Sequence, residues 1–287
     1  MKKQTVLFCA ILVSVIFICA TLESPPQKYD VFTALEKKLI SVMPVSAESS
    51  SENCATLNVR NLSGSPLTIS IPVGAILNTT NESEQDILVT RPIEIFVKNN
   101  ETGSGSIYGF CCQAGNSVPT SASAFRLEKC KSENLMKLSG HLAENNYDPM
   151  LEQAAIWAVS DDHSVGGIYG GAEQETKKLR EFTAHVLGQE VPFYDVDYGY
   201  ELNTQFVYEP KELRGTLHFQ LDNGGKGTLK ILDPKGEEFY VFYTDKSLQW
   251  GFFTQNFRFK AYDMEAGDYV AQMIVDGKVV DEKTIRI

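Results

Sequence analysis

Residues 55–71 read Ala-Thr-Leu-Asn-Val-Arg-Asn-Leu-Ser-Gly-Ser-Pro-Leu-Thr-Ile-Ser-Ile. Leu57, Val59 and Leu62, then Leu67, Ile69 and Ile71, are spaced by polar residues, and Gly64 and Pro66 break the run in two. A period near two sends the apolar side chains of a strand to one face, so the stretch predicts two half-buried strands. Residues 87–90, 93–97 and 107–112 predict further strands, with Pro92 marking an edge or a bulge and residues 99–103 a turn. The period then changes. Within 132–144, Leu135, Leu138 and Leu142 recur at helical spacing. Met150, Leu151, Ala154, Ala155, Trp157 and Ala158 predict a second helix that stops near Asp161 and Asp162. Residues 53–171 are thus expected to form a β-sandwich followed by a helical cap.

On the C-terminal side, residues 173–187 read as a polar helix with a thin stripe at Leu179, Phe182 and Val186, closed by Gly188. Residues 172–199 are accordingly expected to be a helical connector. From 200 to 287 the pattern is β throughout. Strands are expected at 204–208, 215–221, 227–232, 238–243, 257–261, 267–275 and 278–287, with hairpin turns at 222–225 and 276–277. Seven short strands in so few residues predict an immunoglobulin-like β-sandwich, without the Cys…Trp…Cys core of antibody domains. On the N-terminal side, residues 23–52 are expected to be a stalk or linker. They hold Ser24-Pro25-Pro26, a short amphipathic helix over 31–43 and a Ser/Glu-rich tract over 46–52. The fold class expected is mainly β with a helical cap.

Lys2 and Lys3 precede residues 6–20, which are apolar apart from Ser14. That length suits a signal-peptide core and falls short of the roughly 20 residues that cross a bilayer comfortably. Residues 1–22 are expected to be a cleaved signal peptide or an N-in signal anchor. Ile18 stands where lipidation of Cys19 needs a small residue. The expected location is extracytoplasmic, secreted or anchored at the cell surface. A net charge of −11 agrees with a soluble acidic surface and argues against nucleic acid as a partner. Of six cysteines, Cys9 and Cys19 lie in the export segment, and Cys54, Cys111, Cys112 and Cys130 lie beyond it. Four cysteines in an exported chain suggest disulfides, with three possible connectivities.

Two segments stand out. Gly109-Phe110-Cys111-Cys112-Gln113 ends a predicted strand, and Glu152-Gln153-Ala154-Ala155-Ile156-Trp157-Ala158 lies on a predicted helix. Together they resemble the thioester domains of bacterial surface adhesins, in which an aromatic residue or leucine precedes a cysteine and a Gln-x-Ala-Ile-Trp segment follows later. The resemblance covers roughly residues 53–165. It implies an internal thioester between Cys111 and the Gln153 side chain, with Cys112 as the alternative thiol. The partner it implies is a surface protein or another amine-bearing macromolecule. Glu152 departs from the pattern, which has an apolar residue there.

The chemistry is sound on its own terms. A thiolate attacking a carboxamide expels ammonia, and the buried acyl group resists water yet accepts a well-placed amine. A second reading leaves Gln153 as a polar residue beside a helix core and pairs the cysteines as Cys54–Cys111 and Cys112–Cys130. The protein is then a non-covalent, disulfide-stabilised envelope module.

Other candidates are weaker. The carboxylates of residues 195–201 lack the oxygen ligands of a calcium loop. The histidines His141, His163, His185 and His218 show no metal-ligand spacing. No cofactor signature occurs. A secreted hydrolase finds no acid/base pair or triad among the motifs, so the chain is read as a binding protein and not an enzyme. Gly267-Asp268-Tyr269-Val270 and the Asp276-Gly277 turn resemble hairpins of bacterial immunoglobulin-like modules, which suggests a spacer or docking role.

Overall fold

A computed structural model describes residues 25–49, 51–198, 210–261 and 264–287. The export segment at 1–22 and the strand expected at 204–208 lie outside the described residues. No helix among the described residues is long and apolar enough to cross a membrane.

The N-terminal half is a sandwich of two sheets. Its strands are β1 (Gln27–Asp30), β2 (Ile40–Ser46), β3 (Ser51–Asn61), β4 (Leu67–Ile71), β5 (Ala75–Thr79), β6 (Ile87–Val89), β7 (Ile93–Val97), β8 (Thr102–Cys111) and β9 (Phe125–Lys129). The short helix α1 (Val31–Glu36) joins β1 to β2. One sheet has the order β1-β4-β7 and the other β2-β3-β8-β6-β5-β9. Leu67, Ile69, Ile71, Ile95 and Val97 of the smaller sheet meet Leu57, Val59, Leu77, Ile87 and Ile107 of the larger one in a single core. The alternation of Leu57 and Val59, then Leu67, Ile69 and Ile71, is this face; Leu62, expected with them, is 52% exposed.

The larger sheet has a second apolar face, made by Ile76, Leu88, Tyr108, Phe110 and Cys112. Helices α2 (Glu133–Glu144), α3 (Pro149–Ser160) and α4 (Glu173–Leu187) cover it. Their ends are set locally. Ser132 accepts a hydrogen bond from the Leu135 N–H at the start of α2, and Asp148 does the same for Met150 ahead of Pro149 in α3. Gly188 closes α4 in the left-handed region, with φ of 67°.

Two domain assignments need correction. Residues 172–199 are not a connector: Leu179 and Ala184 of α4 are fully buried against α2 and α3, so α4 is the third helix of the cap. Residues 23–52 are not a stalk: β1 runs parallel to β4, β2 pairs with β3, and Val31, Ala34 and Ile40 are buried in the sandwich core. The misreading has a physical source. The helix expected over 31–43 is one and a half turns, held by Asp30, which accepts from the Phe32 and Thr33 N–H groups. Pro44 sits in β2, the edge of the sheet, where a missing N–H is tolerated.

The C-terminal half is the expected immunoglobulin-like sandwich. Its strands are β10 (Tyr194–Asp197), β11 (Glu212–Leu221), β12 (Gly225–Leu232), β13 (Glu238–Leu248), β14 (Gly251–Lys260), β15 (Asp268–Val275) and β16 (Lys278–Arg286). The sheets have the orders β10-β11-β14 and β13-β12-β15-β16. Leu213, Leu217 and Phe219 of one face Leu229, Ile231 and Met273 of the other. β13 and β14 are longer than the sequence suggested; they belong to different sheets, and Gln249 and Trp250 carry the chain from one sheet to the other. Gly251 takes a φ of 128° there.

If residues 25–48 belong to the core, a chain starting at residue 49 uncovers Val31, Ala34 and Ile40 and frees the β3 edge. The expected loss is on the order of 5 kcal/mol. Thermal unfolding followed by circular dichroism should show a much lower midpoint than for a chain starting at residue 25. Equal midpoints would restore the stalk.

Candidate functional site

The two segments singled out in the sequence meet where the end of β8 docks on α3. Gly109 lets β8 lie close to β6 just before this point: a Cβ there would lie 2.3 Å from the Leu88 carbonyl oxygen. Three hydrogen bonds then tie the strand end to the helix. The Gln153 Nε2 donates to the Cys111 carbonyl at 2.8 Å. The Ser160 hydroxyl donates to the Cys112 carbonyl. The Ala114 N–H donates to Asp161 Oδ2 at 2.7 Å. Gln153 is 4% exposed, and its Oε1 is buried with no hydrogen-bond partner. A buried amide whose oxygen has no partner is costly to keep for packing alone.

Consecutive residues of a strand face opposite sides of the sheet, and this separates the two thiols. Cys111 faces the sandwich core together with Cys54, whereas Cys112 faces the helices, in the cluster that holds Ala155 and Ile156 of α3. Gln153 is therefore on the Cys112 side of β8, and it touches Cys111 through the main chain. The resemblance singled out Cys111 first; side-chain placement favours Cys112. Phe110, edge-on to Tyr108 with ring centroids 5.8 Å apart, and Trp157, packed with Ala114, bury the junction.

All four cysteines of the folded region are free thiols. The Cys54–Cys111 and Cys112–Cys130 bridges do not fit the ladders. Ser51 pairs with Phe110, and Cys54 falls at the β3 bulge opposite Ile107 and Tyr108. About three residue steps, roughly 10 Å, then separate Cys54 from Cys111, and a disulfide holds Cα atoms within about 7 Å. Cys130 follows β9, and β6 and β5 lie between β9 and β8, so it is not on a strand neighbouring Cys112. Cys54 Sγ instead donates to the Gly109 carbonyl at 3.0 Å. Burial pushes the pKa of Cys54, Cys111 and Cys112 well up, and for Cys112 the neighbouring Cys111 and Asp86 push it further. A low-pKa attacking thiolate of the redox or protease type is not what this pocket stabilises. It is a buried pocket that keeps a thiol neutral.

Glu152, the departure from the adhesin pattern, has a structural explanation. Its side chain is fully buried and pairs with Arg91 at 2.6 Å, while Oε1 also accepts from the Tyr147 N–H at 3.4 Å. Arg91 in turn lies over the Tyr108 ring, 5.0 Å from its centroid. Burial raises the Glu152 pKa, and the Arg91 contact opposes that rise. The sequence signal was available: an acidic residue on an otherwise apolar helix face requires a cation, and Arg91 is one strand away.

The remaining sequence candidates resolve into structure. Asp195 pairs with Arg180 of α4 at 2.5 Å and with Arg214 at 3.3 Å. His141 stacks on Phe182, 3.7 Å between centroids, and lies 2.7 Å from the Tyr147 hydroxyl. His163 is 4% exposed and stacks on Tyr198 at 4.2 Å, in the seam between the cap and the second sandwich. Tyr198 also accepts from the Ser164 N–H through its hydroxyl. Among the described residues, no group of three or more His, Cys, Asp or Glu is arranged to hold a metal ion.

Two outcomes follow from these burials. Arg91→Ala strands the Glu152 carboxylate and should cost about 3 kcal/mol, most of it recovered by adding Glu152→Leu; denaturant melts of the single and double variants check this. Burial lowers the His163 pKa to about 4, against about 6.5 in the unfolded chain. The neutral ring's contribution is whole above about pH 6.5 and is lost as pH falls towards 4, up to about 3 kcal/mol. Raised carboxylates such as Glu152 and Asp161 work in the opposite direction, so the wild-type minus His163→Phe difference is the informative curve. That difference should slope between pH 6.5 and 4 and be flat above.

No protein-family model matches the chain, and no curated protein matches it. Among solved structures, the crystal structure of red sea bream transglutaminase aligns with 86% of this chain and 31% of its own length, at 7% identity and a TM-score of 0.21. The chain thus spans about a third of that protein's length, and a likeness this slight carries no argument about fold or activity.

Proposed function

We propose that this is an exported surface protein whose first domain captures a partner covalently, through a thioester between Gln153 and a cysteine at the end of β8. The observation that carries the reading is the Gln153 carboxamide, 4% exposed and 2.8 Å from the Cys111 carbonyl, hence one peptide unit from Cys112. The thiol sulfur attacks the Gln153 side-chain carbonyl carbon. The carbon–nitrogen bond breaks, and the thiol proton leaves with the amide nitrogen as ammonia. A lysine amine of the partner then attacks the same carbon, restores the thiol and leaves an isopeptide bond.

Several features support this. The pocket is buried, so hydrolysis is slow until a nucleophile enters. The helix and the strand end are tied together by three hydrogen bonds, so the reacting atoms need no search. The acidic surface favours a basic, lysine-bearing partner, and the N-terminal apolar segment supplies the route out of the cytoplasm. The immunoglobulin-like second domain acts as spacer or docking module.

Intact mass of the chain from residue 25 onward, with and without methylamine, tests the reading. A deficit of about 17 Da, one ammonia, replaced after methylamine by a gain of about 31 Da on the deficient species, supports the thioester. Gln153→Ala should abolish the deficit. Cys112→Ala should also abolish it and Cys111→Ala should keep it; the reverse pattern would return the role to Cys111. An undiminished mass means a non-covalent envelope module.

A further inference from the structure

We infer that β14 is a self-association edge, through which two copies of this chain pair antiparallel about a twofold axis at Asn256. Among the described residues, β14 pairs with β11 on one side and with nothing on the other. Its register with β11 is unbroken over ten pairs, from Glu212–Lys260 to Leu221–Gly251. The other sheet edges are shielded. β13 carries three register shifts against β12, β16 has one against β15, β2 contains Pro44, and β1, β7, β9 and β10 are five residues or shorter. A long edge without proline, bulge or inward charge is a template for another strand, and among the described strands β14 alone has that character.

The side chains select a second copy over an unrelated strand. The outer face of β14 shows Phe252, Thr254, Asn256, Arg258 and Lys260, and the inner face shows Phe253, Gln255, Phe257 and Phe259. With Asn256 on the axis, Phe252 falls opposite Lys260 of the copy, Thr254 opposite Arg258, and Phe253 opposite Phe259. No like charges meet. The lysine stem covers Phe252, which is otherwise 83% exposed, and the aromatic pair continues the cluster that Phe259 already forms with Phe239 and Tyr240. The same patch on both copies makes a closed, isologous pair. The result is one six-stranded sheet, β10-β11-β14 joined to its twofold mate.

Sedimentation velocity of the chain from residue 25 onward, which holds every described element, tests this over roughly 1–100 μM. A monomer–dimer equilibrium is expected. Thr254 and Arg258 are both exposed, so Thr254 tolerates substitution without harm to the fold. Thr254→Glu places two new opposite-charge pairs across the axis, and Thr254→Lys places two like-charge pairs. The dimer dissociation constants of the two variants should differ about tenfold or more, with Thr254→Glu the tighter. In an Arg258→Gln background that difference should largely vanish. A chain monomeric throughout the range overturns the inference. A dimer equally strong in the Thr254→Glu and Thr254→Lys variants overturns it too, because the contact then lies elsewhere.

Discussion

The N-terminal domain depends on one constraint: the large sheet is apolar on both faces. Such a sheet is stable only if covered twice. The β1-β4-β7 sheet covers one face and three helices cover the other. β8 is the strand that feels both cores, since Ile107 and Cys111 point into one and Phe110 and Cys112 into the other. Its end cannot fray without opening both. The helix that seals it supplies the Gln153, Ser160 and Asp161 contacts that satisfy the main chain where the ladder stops. The junction of β8 and α3 is held in place by both cores.

Much of this was legible in sequence. The alternation of Leu67, Ile69 and Ile71, the helical spacing of Leu135, Leu138 and Leu142, and the Gly188 stop all report local periods or caps, and all appear where expected. What failed was non-local. Residues 31–36 form only a turn and a half of helix, which residues 37–46 cannot extend because Ile40 and Val42 are needed opposite Asn61 and Val59 in the sheet. α4 looks polar because only Leu179, Thr183 and Ala184 are buried; its place in the cap follows from the partner it meets.

The candidate site was half legible. The two segments and their meeting came from the resemblance to adhesin thioester domains, and the Gln153–Cys111 contact shows that they do meet. The resemblance put Cys111 ahead of Cys112; which of two adjacent residues faces the helix depends on strand parity. Parity is fixed by the β6–β8 register, in which Ile87 is opposite Cys111. The disulfide pairing was beyond reach for the same reason: spacing along the chain says nothing about the two strands between β8 and β9. Glu152 looked like a defect in a motif and is half of a buried ion pair.

The parallel pairing of β1 with β4 has a mechanical consequence. Four consecutive residues, Gln27 to Asp30, lie in register with Leu67 to Ser70. Tension entering from the N-terminal side along the strand axis loads this ladder lengthwise, so its hydrogen bonds share the pull and must slide together. Peeling would break them one at a time. β1 itself is therefore clamped, and force applied to it passes into the sandwich core before any strand unzips.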